Sequence, residues 1–463
     1  MIPQKALDIA KNVSGVLISG DQKELLTSVS IDSRSINKGD VFIPIVGDKF
    51  DGHDYIDDAM SNGAAGFFTE IWDEKIKRIA ANYDGPVAIK IDDSIKALQY
   101  LASNNISKLS SKVVGITGST GKTSTKNMIS SILGRSRKIV STPMNFNNEI
   151  GLPLSILGCD SETELFVLEM GMRGRGQIEE LVNIAGPDIG LITNIGDSHV
   201  GVLGSQEDIA KAKSELIKAL PIEGFAVLNA DDPWTPVLID GTEAKVITFG
   251  RVPAADYCAT NIHLDNEARP NFLVHTPVGK ISIQLSVPGQ HAVQNALAAI
   301  AVAGCFGIET EEIEKGLREM PIDLMRMNIA AKSNGVIVIN DTYNANPTSM
   351  EAALKTAAAF NSKGKRIAVL GDMAELGEGS GEAHYEVGRK AAILGIDILV
   401  TVGDAARNMK RGAIDGGLSK KDIHYYLDKE EAIKFLRENL EADDLVLVKA
   451  SRCMEFEQIV KNI

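Results

Sequence analysis

Cysteine is scarce: Cys159, Cys258, Cys305 and Cys453 are the four in 463 residues, with no Cys-x-x-Cys pair and no regular spacing. That pattern excludes a disulfide framework and a thiolate zinc site, and suits reduced thiols in a cytoplasmic setting. A basic-then-apolar leader is also missing, because Met1 to Lys11 already interleaves Gln4, Lys5, Asp8 and Lys11, so no targeting segment is expected. The longest apolar stretch, Ala296–Phe306, falls far short of the roughly 20 residues that a membrane span needs. Positive charge is in short supply, with 48 Lys plus Arg against 62 Asp plus Glu and a net charge of −14. Coating of nucleic acid and polybasic attachment to a membrane are thereby excluded, although a local basic pocket is not. Gly and Pro, at 42 and 15, are ordinary in number, and no internal repeat is visible; a collagen-like or low-complexity chain is ruled out.

What is present is a globular composition, 44% hydrophobic and 24% charged, in a length that predicts about three domains. Short apolar runs at Val41–Val46, Gly66–Phe68 and Val87–Ile91 sit among polar turns such as Asn37-Lys38-Gly39-Asp40. They predict a small α/β unit over residues 1–108, closed by a linker-like helix at Ser94–Leu109. Residues 109–321 predict a nucleotide-binding α/β domain: a strand at Lys112–Thr117, a turn at Gly118–Gly121 and a helix at Lys122–Leu133. Further strands are predicted at Leu165–Leu168, Ile189–Thr193 and Ala226–Asn229, a mostly parallel sheet. Phe272–Thr276 and Lys280–Val287 alternate like antiparallel strands on an appended edge. Beyond Met320-Pro321 the βα rhythm restarts, with strands at Val336–Asn340, Arg366–Leu370, Ile398–Val402 and Leu445–Lys449. Helices at Ser349–Phe360, Ala383–Leu394 and Lys429–Leu440 complete a Rossmann-like α/β domain over 322–463.

Gly118-Ser119-Thr120-Gly121-Lys122-Thr123 carries the most chemistry. Small residues between a strand and a helix let successive backbone N–H groups close around phosphate oxygens at the positive end of the helix. Lys122 then neutralises the terminal phosphates, and the Thr123 hydroxyl takes a Mg²⁺ coordination position. The full phosphate-loop pattern is not matched, since Ile116 stands where its first Gly belongs.

Long motifs in a fixed order cover the rest. Asp32-Ser33-Arg34, Gly39-Asp40-Val41-Phe42-Ile43-Pro44 and Gly47 with Phe50-Asp51-Gly52-His53 come first. Asn145-Phe146-Asn147-Asn148-Glu149-Ile150-Gly151, Thr193-Asn194-Ile195-Gly196 with His199, and Ala212-Lys213-Ser214-Glu215 follow. Asp341-Thr342-Tyr343-Asn344-Ala345-Asn346-Pro347, Gly371-Asp372-Met373-Ala374-Glu375-Leu376-Gly377 and Lys449-Ala450-Ser451-Arg452 close the series. In these motifs the chain resembles the Mur ligase family, ATP-dependent amide-forming enzymes that build the peptidoglycan peptide, over essentially its whole length. Within it, the resemblance is to the branch that adds D-alanyl-D-alanine. The shortened loop Gly118–Thr123 is that family's own form. Two positions depart from it: Met144 replaces a Gly, and Ala292 replaces an Asn in Gln290-His291-Ala292-Val293-Gln294-Asn295.

The resemblance implies a fold of three α/β domains: an N-terminal UDP-MurNAc-binding domain, a central ATP-binding domain built on a parallel sheet, and a C-terminal Rossmann-like domain. It assigns Ser33, Arg34, Phe42, Gly47 and His53 to the nucleotide sugar. ATP falls to Gly118, Ser119, Thr120, Gly121, Lys122, Thr123, Ser124 and Asn295, with Arg326 on the γ-phosphate and Asp341 on the ribose. Asn145, Asn147 and Asn148 offer neutral amides to sugar and peptide. Asn344, Asn346, Asp372, Lys449, Ser451 and Arg452 are assigned to D-alanyl-D-alanine as a group. Thr123, Glu169, His199 and Lys213 are the implied Mg²⁺ ligands, Lys213 as a CO₂-derived carbamate; a solvated lysine beside Lys211, Glu207 and Glu215 is the alternative.

Joining a carboxylate to an amine with ATP brings several anions together, so cations must stabilise charge where it develops. For this role the resemblance implies Lys122, Glu169, His199, Lys213 and Arg326 as the catalytic set. The expected substrates are ATP, UDP-MurNAc-tripeptide and D-alanyl-D-alanine, on a monomer with no nucleic-acid partner. Two other readings stay open: an amide ligase of the same architecture with a different acceptor, and a phosphate-loop switch that hydrolyses nucleotide without forming an amide.

Overall fold

Short β-branched runs become strands, and the longer amphipathic stretches between them become helices, so that among the described residues three large sheets follow one another along the chain, beside a small pair of Gln4–Lys5 with Leu25–Leu26. The computed structural model describes residues 1–198 and 200–463; His199 lies outside the described residues.

The first sheet has five strands in the order Val16–Ser19, Val87–Lys90, Gly66–Thr69, Asp40–Phe42 and Ser28–Ser30. The Val16–Ser19 strand runs antiparallel to its neighbour and the rest are parallel. The predicted run Val41–Val46 yields a strand only over Asp40–Phe42, and Pro44 just beyond has no N–H to give a ladder. The helix Ser94–Ile106, capped by Asp93 through Lys96 N at 2.9 Å, buries Ala97, Leu98, Leu101 and Ala102 on one face. That face packs against the helices Gly151–Leu157 and Gln177–Ala185. One continuous apolar core therefore runs from Ile9 and Ile89 through Leu101 to Leu152, Phe166 and Leu216, joining the first unit to the second.

The second sheet has nine strands: Gly279–Gln284, Pro270–Thr276, Tyr257–Leu264, Lys245–Gly250, Phe225–Asn229, Ile189–Ile192, Lys112–Thr117, Leu165–Glu169 and Ile139–Ser141. It is parallel from Ile139–Ser141 across to Tyr257–Leu264 and antiparallel over the last two strands, as the alternating pattern there predicts. The strands Lys245–Gly250 and Tyr257–Leu264 give no clear sequence signal, because only two residues of the first and three of the second are buried.

The third sheet has six strands: Asn328–Ala331, Ile337–Asn340, Leu445–Lys449, Arg366–Gly371, Ile398–Val402 and Ile423–Tyr426. Asn328–Ala331 alone is antiparallel to its neighbour. This unit has apolar cores of its own on the two faces of its sheet. It reaches the central unit through polar contacts: Arg326 Nη2 to Thr123 Oγ1 at 2.9 Å, Asn346 Nδ2 to Ser198 Oγ at 2.9 Å and Arg173 to Glu375 at 3.7 Å. Among the described residues no helix is long and apolar enough to cross a membrane.

Candidate active site

Three neighbouring parallel strands end together. Register sets Glu169 opposite Ile116, and Ile192 opposite Thr117, so the loops after Thr117, Glu169 and Ile192 share one edge of the sheet. This is where open α/β sheets hold ligands. Ile116 is fully buried in that strand, and the phosphate loop begins at Gly118, two residues later than the longer pattern supposes.

Gly118 has φ +148°, and a Cβ on it would lie 1.9 Å from Thr193 Oγ1. Gly121 has φ +80°, and its Cβ would lie 2.3 Å from Asn295 Oδ1. Neither position tolerates a side chain. The loop is clamped from the next strand: Thr120 N donates to Asn194 Oδ1 at 3.0 Å, Asn194 Nδ2 to Thr120 O at 3.1 Å, and Thr193 Oγ1 to Thr120 O at 2.6 Å. The helix Lys122–Leu133 starts at once, leaving its first-turn N–H groups without intrahelical acceptors and directed at the loop. Lys122 Nζ folds back onto Gly118 O at 2.8 Å. Burial lowers its pKa, Glu169 opposing and Arg326 reinforcing the shift.

The Thr123 hydroxyl donates to Glu169 Oε2 at 2.7 Å and accepts from Arg326 Nη2 at 2.9 Å. Glu169 Oε1 accepts from Asn147 Nδ2 at 2.8 Å, tying the Asn-rich loop to the same carboxylate. Arg326 lies 4.0 Å from the centroid of the Tyr343 ring, a cation–π contact. Thr123 and Glu169 present hard oxygen donors side by side, which suits Mg²⁺, an ion that keeps several waters. Among the described residues no three His, Cys, Asp or Glu side chains gather, so further donors have to come from water, phosphate or an altered side chain.

Lys213 supplies the candidate for such a side chain. Its helix, Gln206–Lys218, turns Lys211 outward to pair with Glu207 at 2.6 Å and turns Lys213 inward, 2% exposed. Among the described residues Lys213 has no hydrogen-bond or ion-pair partner. Burial holds its pKa well below the ordinary lysine value, and the charge of Lys122 adds to the effect. The solvated alternative is excluded by that burial.

A cleft of about 1110 Å³ opens between the central and C-terminal units. The loop residues Ser119 to Ser124 line it, together with Glu169, Lys213, Asn295, Arg326 and Asp341. Asn145, Asn147 and Asn148 line it on one side, and Asn344, Asn346, Lys449, Ser451 and Arg452 on the other. Two residues expected of the acceptor group are engaged elsewhere. Asp372 Oδ1 accepts from Ala406 N at 2.7 Å, capping the helix Arg407–Asp415 away from the cleft. The Lys449 ammonium is bound to Asp341 and to Asn344 O.

The residues expected to hold a nucleotide sugar stand apart, in the first unit, and do not line this cleft. Arg34 is exposed and grips Asp32 with Nε at 2.9 Å and Nη2 at 2.8 Å, holding that carboxyl at about 2. Phe42, 1% exposed, is part of the core there. The buried His53 ring has both nitrogens engaged, Nδ1 with Asp51 at 2.7 Å and Nε2 accepting from Glu70 N at 3.0 Å. Gly47 lies against the Phe50 ring, and Ser33 is buried.

Several site residues escape sequence reasoning. Tyr343, Thr193 and Asn194 lie inside the quoted motifs but show no role until Arg326 and the phosphate loop are placed against them. Lys126 stands one helical turn after Lys122, a spacing that could have marked it. It is buried, and its Nζ donates to Thr142 O at 2.5 Å, while Thr142 Oγ1 accepts from Glu169 N at 2.9 Å.

The same architecture is found in known proteins. Three family models match in order: Mur ligase family, catalytic domain, over residues 25–106; Mur ligase middle domain over 116–303; and Mur ligase, glutamate ligase domain, over 325–452. The chain belongs to the Mur ligase family. Within it, the chain is 36% identical to the UDP-N-acetylmuramoyl-tripeptide–D-alanyl-D-alanine ligase of Bacillus subtilis, over 100% of this chain and 99% of that protein. Its structure resembles that of MurF from Acinetobacter baumannii, with a TM-score of 0.89, 30% identity and coverage of 99% and 98%. It also resembles the MurF ligase of Thermotoga maritima in complex with ADP, with a TM-score of 0.81, 29% identity and coverage of 94% and 96%.

Met144 has φ +42° and a side chain 75% exposed to solvent. The left-handed backbone explains why a Gly is usual there, and the exposed side chain returns no packing. Met144→Gly is expected to stabilise the protein by about 1 kcal/mol, read as a raised denaturant midpoint with an unchanged m-value.

Proposed function

We propose that this chain is a UDP-MurNAc-tripeptide–D-alanyl-D-alanine ligase of the cytoplasm, with working domains at residues 1–108, 109–321 and 322–463. The tripeptide's terminal carboxylate takes the γ-phosphoryl group of ATP, and ADP leaves. The free amine of D-alanyl-D-alanine then attacks the acyl phosphate carbon, loses a proton and expels phosphate as the amide forms. The observation that carries this reading is the junction of Thr123, Glu169 and Arg326, which places a phosphate loop, a strand-end carboxylate and a C-terminal arginine on one wall of a two-domain cleft. The like-named relatives, matched over their full lengths, support the choice of substrates.

In this reading the loop N–H groups of residues 118–124 and Lys122 bind the triphosphate. Asn295, packed on Gly121, holds the adenine, and Asp341 the ribose. Arg326 crosses from the C-terminal unit to the γ-phosphate, and closure of that unit excludes water from the acyl phosphate. Ser33, Arg34 and Gly47 hold the nucleotide sugar, with Phe42 and His53 supporting them from beneath. Asn145, Asn147 and Asn148 orient the peptide, and Asn344, Asn346, Ser451 and Arg452 receive the dipeptide.

Thr123, Glu169 and the Lys213 carbamate, with His199 expected from the sequence, would hold Mg²⁺, which would supply neutralisation of the charge that gathers there. A buried, neutral Lys213 amine adds to CO₂ and releases a proton, turning a neutral group into an anion.

Two experiments test this. With ATP and UDP-MurNAc-tripeptide, the enzyme should release phosphate when given D-alanyl-D-alanine and not when given single amino acids; release with a single amino acid would assign a different acceptor. Enzyme stripped of CO₂ at low pH should lose most of its activity and recover it on addition of bicarbonate, with a ¹³C-carbamate resonance that Lys213→Ala lacks. Full activity without CO₂ and no resonance would remove the carbamate.

A further inference from the structure

Lys449 ends the strand Leu445–Lys449, and Asp341 follows the strand Ile337–Asn340, 108 residues earlier. These strands are parallel neighbours with Asn340 opposite Val448, so the next residue on each emerges side by side at the edge of the cleft. Lys449 Nζ donates to Asp341 Oδ2 at 2.5 Å and to Asn344 O at 2.7 Å. The second carboxylate oxygen, Asp341 Oδ1, accepts from Met327 N at 3.2 Å. The side chains are 3% and 14% exposed, so the pair is shielded from water.

Met327 sits at φ +51°, a left-handed conformation that is strained for a non-glycine residue. It immediately follows Arg326, whose guanidinium lies over Tyr343 and reaches Thr123. One ammonium thus braces the Asp341 carboxylate, the backbone behind Arg326 and the Asn344 loop. Giving a ligand carboxylate to this lysine would break a buried ion pair and strand Asp341, a costly exchange.

We propose that Lys449 is a positioning residue for the nucleotide, acting through Asp341, and not the cation that receives the acceptor's carboxylate. It fixes the Asp341 carboxylate in the orientation that meets the ribose hydroxyls, and it holds the Met327 turn that presents Arg326 to the γ-phosphate. This rests on the ligase reading above, in which Asp341 faces the ribose.

The test compares ATP with 2′,3′-dideoxy-ATP, which lacks both ribose hydroxyls, in the full-length enzyme and in Asp341→Asn, Lys449→Met and the double variant. Lys449→Met alone leaves a buried carboxylate unpaired, so the double variant, which leaves no unpartnered charge, keeps the test valid if the single one folds poorly. Lys449→Met is expected to raise the KM for ATP about ten-fold or more. It should abolish most of the preference for ATP over the dideoxy nucleotide, with any rise in the KM for D-alanyl-D-alanine, through the Asn344 loop, smaller than the rise for ATP. The double variant should show the same loss of preference as Asp341→Asn alone, since the two residues act as a unit. A raised dipeptide KM with the ATP preference intact overturns the proposal and makes Lys449 an acceptor ligand. An intact preference in Asp341→Asn removes Asp341 from the ribose and the proposal with it, while leaving the dipeptide-dependent phosphate release to stand or fall separately.

Discussion

One hydroxyl group joins the parts of this enzyme that have to act together. Thr123 donates to the strand-end Glu169 and accepts from Arg326, 203 residues away in another sheet. A bare hydroxyl has one proton and two lone pairs, so both contacts can be made at once. Remove that group, and the phosphate-loop helix, the central sheet's carboxylate and the C-terminal arginine lose their common reference point. Asn147 on Glu169 extends the same junction to the Asn-rich loop. The fold exists, in this sense, to bring three separate strand ends and one distant arginine within hydrogen-bond reach.

The electrostatics of the cleft are those of a site waiting for anions. Lys122, Lys126 and Lys213 are all held below their ordinary pKa by burial, and the charge of Glu169 opposes the shift in the first two. Burying cations without full compensation costs stability, and the cost is offset when phosphate and carboxylate groups arrive. Such preorganised charge is worth more in a closed, water-poor cleft than in bulk solvent. The different attachments of the outer units follow the same logic. The first shares a continuous apolar core with the central unit, whereas the third meets it through hydrogen bonds and an ion pair that can be broken and remade.

Much of this was legible in the amino-acid order. The strand–turn–helix at Lys112–Leu133 matches the structure residue for residue, since a β-branched run, a glycine turn and a helical stretch each declare themselves locally. The edge strands Asn328–Ala331 and Ile423–Tyr426 did not, being short, half-exposed and without clean alternation. For Lys213 the residues alone left a carbamate and a solvated lysine both open, and only the packing, which turns it inward, separates them. Lys449 and Asp341 read as two independent ligands because their pairing depends on strand order, with the last strand inserted between Ile337–Asn340 and Arg366–Gly371. No local pattern encodes that insertion. Phe42 and His53 carry the resemblance faithfully yet sit inside the first unit, where a motif shared for packing looks the same as one shared for binding.

The account turns on a carboxylate oxygen becoming a phosphate oxygen. The most direct measurement uses UDP-MurNAc-tripeptide labelled with ¹⁸O in its terminal carboxyl group, with mass analysis of the phosphate released during amide formation. The account predicts that one of the two carboxyl oxygens appears in that phosphate while the other stays in the new amide. Phosphate free of label, formed in step with the amide, would contradict it.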